Sequence, residues 1–270
     1  MKTEKKNNLI LGKNYIFIFG FPGSGTTIFA KQLSKNINSI LWLEPYYIWR
    51  KSLKNKIFDN LENSDFSKKI ISQIRYDFFD FYNKSKKKFL IEKEPRNILN
   101  FLIIKKIFPK SKFIFIRKTK QKDNIKTIKR KINIRKNKNI FTDLKDIIIK
   151  LNDQKYLKFM IKILVYEIQN IDRIKEYFNK YFKIKKVRWG IKLKIDNKPF
   201  YVDNANKFKI INSLLNKKLE KLDRKSYIII NLEKLAKNFR LEFGKVVKFI
   251  GKENFENNIN IMDKKRILKL

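Results

Sequence analysis

YIFIFGFPGSGTTIFAKQ, residues Tyr15 to Gln32, decides the fold. Tyr15-Ile16-Phe17-Ile18-Phe19 alternates aromatic and β-branched residues and reads as a buried strand. Gly20, Pro22, Gly23, Ser24 and Gly25 let neither strand nor helix continue. Thr26 and Thr27 then lead into Ile28-Phe29-Ala30-Lys31-Gln32-Leu33, which reads as a helix. A strand, a glycine-rich turn and a helix N-terminus in that order make an anion site. Unbonded amides converge there, and the helix dipole adds partial positive charge. Glycine lets the backbone approach a phosphate with no Cβ in the way.

The spacing Gly20-x-x-x-x-Gly25-Thr26-Thr27 differs at one position from the triphosphate loop G-x-x-x-x-G-K-[ST]. Thr26 stands where that loop has the lysine that neutralises the β- and γ-phosphates. A hydroxyl donates a hydrogen bond but carries no charge. The loop therefore suits a phosphate or sulfate group better than a magnesium triphosphate. An ordinary tight turn between strand and helix is the alternative, although three glycines and two hydroxyls exceed what such a turn needs.

Composition narrows the chemistry. The chain has 270 residues, 43% of them hydrophobic, which suits one large α/β domain. With no cysteine, disulfides and thiolate metal sites are excluded; with no histidine, so are imidazole bases and Ser-His-Asp triads. Catalysis must use carboxylates, lysines, tyrosines or backbone dipoles, and no metal site is expected. The formal net charge is +41. It points to an anionic partner or to a lysine-rich coding bias. The lysines are spread over every segment and no nucleic-acid motif appears, so no specific nucleic acid is expected. Residues 1–14 show no signal peptide, and no apolar run is long enough to span a membrane. A soluble cytoplasmic protein is the expectation.

Outward from the opening stretch, strands and helices alternate. Ile40-Leu41-Trp42-Leu43 reads as a second strand, stopped at Glu44-Pro45. A helix is expected over Asn60–Tyr82. Phe89-Leu90-Ile91 reads as a strand running into the charged rim Glu92-Lys93-Glu94, with Pro95 opening a helix through Ile107. Phe113-Ile114-Phe115-Ile116 is a strand ending at Arg117, and helix signals return near Asp123 and pass Thr127. Phe141–Phe182 is helix-periodic and suggests a helical insertion or cap over roughly 135–185. Arg188–Tyr201 reads as irregular and aromatic. Phe208–Leu222 reads as helix, Tyr227–Asn231 as a late strand, and Phe243–Ile250 as a last helix capped by Gly251. The alternation predicts a single domain, three-layered, with a mostly parallel central sheet and helices on both faces.

Three strand ends carry the polar chemistry: Gly23–Thr27, Glu92-Lys93-Glu94, and Arg117 with the helix after it. This order resembles the sulfotransferases that use 3′-phosphoadenosine 5′-phosphosulfate (PAPS). Pro22-Gly23-Ser24-Gly25-Thr26-Thr27 is similar to the family's loop P-x-S-G-T-T, which wraps the 5′-phosphosulfate. Phe113–Arg117 resembles the strand whose terminal arginine holds the 3′-phosphate. Asp123 and Thr127 fit the acid and hydroxyl that follow it, with two extra residues after Arg117. Glu92-Lys93-Glu94-Pro95 and Phe108-Pro109 resemble a middle block, and Tyr227–Asn231, Glu233 and Phe249-Ile250-Gly251 a closing one. The sequence departs from the pattern at Gly23, where the family has Lys or Arg, and at Lys118-Thr119, where it has Asp-Pro. Thr127 keeps the hydroxyl of the family's serine.

The resemblance implies PAPS as co-substrate, a P-loop-like fold, and Gly23, Ser24, Gly25, Thr26, Thr27, Arg117 and Thr127 as its binding residues. Sulfuryl transfer spreads negative charge over the nonbridging oxygens and the leaving phosphate, by analogy with phosphoryl transfer. Loop amides and the Lys93 ammonium would stabilise that charge. A hydroxyl or amine acceptor, from a carbohydrate, lipid or small molecule, would need a base. Glu44 is the first candidate, with Glu92 and Glu94 as rivals. Two other readings stay open: a P-loop kinase or NTPase, against which Thr26 argues, and a non-catalytic basic module for RNA or anionic lipid.

Overall fold

The computed structural model describes residues 11–21, 23–49, 61–118, 192–195, 198–201 and 205–251. The chain opens with strand β1 (Tyr15–Gly20), helix α1 (Thr26–Asn36), strand β2 (Ser39–Leu43) and a single helical turn, α2 (Tyr46–Trp49). Helix α3 (Lys68–Asn83), strand β3 (Phe89–Lys93), a 3-10 segment (Pro95–Leu99), helix α4 (Phe101–Ile107) and strand β4 (Lys112–Arg117) follow. After a two-stranded hairpin, β5 (Lys192–Ile195) and β6 (Lys198–Tyr201), come helix α5 (Ala205–Leu219), strand β7 (Tyr227–Asn231) and helices α6 (Leu232–Lys237) and α7 (Phe239–Ile250). The expected insertion over 135–185 and the helix after Arg117, with Asp123 and Thr127, lie outside the described residues.

Five strands form one sheet in the order β2-β3-β1-β4-β7, parallel throughout. Every residue of β1 is buried, as a strand covered on both faces requires. Its alternation divides the core in two. Tyr15, Phe17 and Phe19 face an aromatic layer with Phe78 and Phe81 of α3, Phe101 of α4, Phe113 and Phe115 of β4, and Phe208 of α5. Ile16 and Ile18 face the other layer, with Phe29, Ala30 and Leu33 of α1 and Phe243, Val246 and Ile250 of α7. The sheet with helices on both faces is the α/β architecture that the alternation predicts. Phe17 alone packs its ring against those of Phe19, Trp49, Phe78, Phe108 and Phe113, so truncation there to alanine would cost about 3–5 kcal/mol.

Three elements differ from expectation. The helix expected from Asn60 starts at Lys68, because the Ser67 side chain accepts from the Ile70 amide and caps it there. A 3-10 turn at Asn63–Asp65 precedes it, closed reciprocally by Glu62 and Asp65. The helix opened by Pro95 is 3-10 to Leu99 and breaks at Asn100 before α4 resumes. The stretch read as irregular through Tyr201 contains the antiparallel hairpin β5-β6. The last helix ends as expected, with Gly251 left-handed at its C-cap.

Candidate functional site at the sheet rim

The topology creates the crevice. From β1 the chain crosses through α1, on the isoleucine face, outward to β2. From β3 it crosses through α4, on the aromatic face, in the other direction to β4. Adjacent strands β1 and β3 thus send their connections to opposite faces, which leaves an opening at their C-terminal ends. The loop after Gly20 and the rim Glu92–Glu94 flank that opening.

The loop is built for close backbone approach. A Cβ on Gly20 would lie 2.5 Å from Ser24 Oγ and from Thr26 Cγ2, and 2.9 Å from the Ile116 carbonyl oxygen. No side chain fits between the strand end and the loop that folds back over it. The Ser24 amide and hydroxyl both donate to the Phe21 carbonyl, at 2.9 and 2.7 Å, which tightens the turn. Gly23 and Gly25 have φ of 87° and 76°, a region that favours glycine. Gly25 is the N-cap of α1 and offers no side-chain oxygen to the first turn, which also contains no acid. Thr26 is buried and Thr27 half-buried.

Lys93 reaches the same face from the neighbouring strand. It stands opposite Ile18 in the β1–β3 ladder, and residues opposite one another share a face. Its side chain therefore lies on the side that carries α1. Its Nζ donates to Glu44 Oε1 at 2.6 Å. The lysine side chain is 2% exposed and the glutamate 39%, so Glu44 forms the solvent-facing half of the pair. Glu44 also has φ of 51°, a conformation that costs a non-glycine residue about 1–3 kcal/mol and clusters at functional sites. The Glu44 amide donates to the Lys93 carbonyl at 2.8 Å.

Glu92 and Glu94 lie on the other side of this strand end. Glu92 is 0% exposed and accepts through Oε1 from Trp49 Nε1 at 3.1 Å. Burial, and then the Glu94 carboxyl, push its carboxyl well above the usual range. Glu94 is raised too, by burial and then by Glu44, although Oε1 accepts from the Arg96 amide at 3.1 Å. Glu92 Oε2, Glu94 Oε2 and Asn97 Nδ2 are buried without hydrogen-bond partners. Both rivals for the base are thus enclosed and biased toward the neutral acid. Glu44 is the carboxylate of the three that is open to solvent.

Arg117 is placed differently from the arrangement its sequence position suggests. Phe113 and Phe115 belong to the aromatic layer and Ile114 and Ile116 to the other, so alternation sends Arg117 to the aromatic face, opposite α1. There its Nη2 donates to Asn216 Oδ1 of α5 at 2.7 Å, while Nε is buried without a partner. Burial lowers the guanidinium's pKa. The structure brings Gly23–Thr27, Lys93 and Glu44 to one side of the rim and does not bring Arg117 to them.

No local pattern of residues marks Asn216, the left-handed backbone at Glu44, or the Trp49–Glu92 bond. Trp49 is core at 1% exposure. Among the described residues, no group of His, Cys, Asp and Glu has the arrangement of a metal site, and no helix is long and apolar enough to cross a membrane. Compared with models of protein families and with curated proteins, the chain matches none.

Proposed function

We propose that the chain transfers a sulfuryl group from PAPS to a hydroxyl or amine of a carbohydrate, lipid or small molecule. The Lys93–Glu44 pair beside the Gly23–Thr27 loop carries this reading, because it sets a cation and a base next to an anion cradle. The 5′-phosphosulfate would rest on the amides from Gly23 to Thr27. The residues fit such a group: Gly23 and Gly25 bring the backbone close without a Cβ, and no side chain caps the helix turn beneath them.

In the reaction, the acceptor oxygen or nitrogen forms a bond to sulfur as the bond from sulfur to the bridging phosphate oxygen breaks. Glu44 takes the acceptor proton, and adenosine 3′,5′-bisphosphate leaves with the bond's electron pair. Lys93, released from Glu44, offsets the charge growing on the leaving phosphate. The lysine also supplies the positive charge that Gly23 lacks. A nucleotide lying across the strand ends, from the loop to the aromatic face, would bring its 3′-phosphate to Arg117 in place of Asn216. The family resemblance assigns the Thr127 hydroxyl to the same phosphate.

Thermal shift with adenosine 3′,5′-bisphosphate against magnesium-ATP tests the reading. Preferential stabilisation by the bisphosphate is expected. A larger shift with magnesium-ATP would move the assignment to a kinase or NTPase. No shift with either nucleotide, together with salt-sensitive RNA binding, would move it to a basic binding module.

A further inference from the structure

The segment from Glu44 to Trp49 is held to the end of β3 at both of its ends, by two consecutive residues. At its start, the Glu44 amide donates to the Lys93 carbonyl at 2.8 Å and the Glu44 carboxylate accepts from Lys93 Nζ. At its finish, Trp49 Nε1 donates to Glu92 Oε1 at 3.1 Å, with both side chains buried. Lys93 and Glu92 point to opposite faces of the sheet, so the segment straddles the strand end. Between the two attachments lie Pro45, whose φ is fixed, and the single turn α2, closed by an Ile48 amide to Pro45 carbonyl bond of 3.0 Å. A segment this short and stiff transmits a displacement at one end to the other.

Glu92 has no other hydrogen bond to make there: its Oε2 is buried and without a partner. A buried carboxyl with an unsatisfied oxygen is unfavourable, and leucine would fill the same space with no polar atom to bury. The acceptor atom offered to Trp49 is what distinguishes glutamate from such a residue. The conformation of Glu44, at φ of 51°, is one that surrounding structure has to impose. The Trp49 anchor lies where it can impose it.

We propose that Glu92 is a positioning residue that acts through Trp49 to hold Glu44 over Lys93. The catalytic importance of that geometry rests on the sulfuryl-transfer reading; the mechanical coupling does not. The titratable and charged groups facing Glu92 and the clip are Glu94, Lys93, Glu44 and Arg96.

The test separates the two. Lys93 is enclosed and its Nζ is bonded to Glu44, so its reaction with an amine-acylating reagent, followed by peptide mass spectrometry, reports release of that pair. Lys218, half-buried on α5, serves as internal reference. Glu44→Ala, which removes both the acceptor and the side chain, is the positive control for uncovering Lys93. Trp49→Phe keeps the ring and removes the donor; Glu92→Leu removes the acceptor; Glu92→Gln retains an acceptor. Labelling of Lys93 relative to Lys218 is expected to rise roughly fivefold in Trp49→Phe and Glu92→Leu, the population change that one lost hydrogen bond gives. It should stay at the wild-type level in Glu92→Gln. Trp49→Phe keeps the test open should Glu92→Leu not fold. Unchanged labelling in a folded Trp49→Phe protein, or an equal rise in Glu92→Gln, overturns the proposal. A wild-type protein that does not bind adenosine 3′,5′-bisphosphate removes the sulfuryl reading and leaves the labelling result standing. Where it does bind, Trp49→Phe should lower kcat and leave the bisphosphate Kd unchanged, a split that a loss of packing alone does not give.

Discussion

Lys93 Nζ lies 2.6 Å from Glu44 Oε1, and the two residues differ sharply in exposure: the ammonium is enclosed and the carboxylate is open. In a chain with 66 lysines and arginines, cations are expected as solvated surface groups. An enclosed lysine paired with a carboxylate departs from that expectation, and removal of the carboxylate leaves a buried charge without that partner. On the proposed sulfuryl-transfer reading, the same asymmetry assigns the roles. The open partner can meet an acceptor, and the enclosed partner can meet the charge that develops beneath it.

Glu44→Gln should therefore leave the nucleotide site intact and remove the base. The expected result is a loss of about 10²–10⁴-fold in kcat, with the Kd for adenosine 3′,5′-bisphosphate unchanged by calorimetry. Lys93→Ala should lower turnover by about 10²–10³-fold, the scale on which a lost charge stabiliser acts. It should also weaken bisphosphate binding. Equal losses of bisphosphate affinity in the two variants would make the pair a nucleotide-binding element rather than a base and a cation.

Gly20→Ala tests the cradle through stability and nucleotide binding together. The new Cβ meets Ser24 Oγ and Thr26 Cγ2 at 2.5 Å and a backbone oxygen at 2.9 Å. The backbone oxygen belongs to the inner strand β4, paired on both sides, and cannot swing aside, so the loop must lift. A destabilisation of about 1–3 kcal/mol is expected from such overpacking, read as a lower midpoint in denaturant, along with loss of nucleotide binding. Gly244→Ala is the control, because nothing lies within 4 Å of its Cβ.

These sites show what the sequence can and cannot reveal. The parallel sheet was legible because buried strands on both faces are apolar at every position, as Tyr15–Phe19 and Phe113–Ile116 are, and because helices alternate with them. The glycine loop was legible because Gly20, Gly23 and Gly25 carry a backbone requirement in their identity. Lys93 and Glu44 could be named separately, from strand ends, but their contact spans 49 positions and depends on β2 and β3 lying in register. Nothing local encodes that. Arg117 shows the limit most clearly. Its place at a strand terminus was readable, but its face follows from counting alternation back through Phe115 and Phe113. Its partner Asn216 comes from a helix 99 residues away.

Arg117→Ala distinguishes two uses of that guanidinium. If the nucleotide crosses the strand ends, its 3′-phosphate takes over the donors now given to Asn216, and the substitution should weaken bisphosphate binding by about 1.5–3 kcal/mol, the range for a hydrogen bond to a charged group. Asn216→Ala should then leave affinity nearly unchanged, since that contact is surrendered on binding. Unchanged affinity in Arg117→Ala, measured by calorimetry, would make Arg117 a tether between β4 and α5 and nothing more.

The enclosed acid Glu92 makes stability depend on pH in a defined direction. Its carboxyl is held well above a glutamate's ordinary value because burial, and then Glu94, disfavour the charged form. Below that ordinary value, both folded and unfolded chains hold the proton and the group contributes no difference. As pH rises past it, the unfolded chain releases a proton that the folded chain keeps, and each further pH unit costs about 1.4 kcal/mol of stability until the folded group itself ionises. Glu92→Gln has no proton to lose and keeps an acceptor for Trp49. It should melt above the wild type at pH 7, with the gap closing as pH falls toward 4. Glu94, raised by burial and Glu44, remains in both proteins, so their difference isolates Glu92 together with its effect on that neighbour. A gap that instead widens toward acid would mean that Glu92 is ionised in the folded protein, and the enclosed charge would then have to be matched by Lys93.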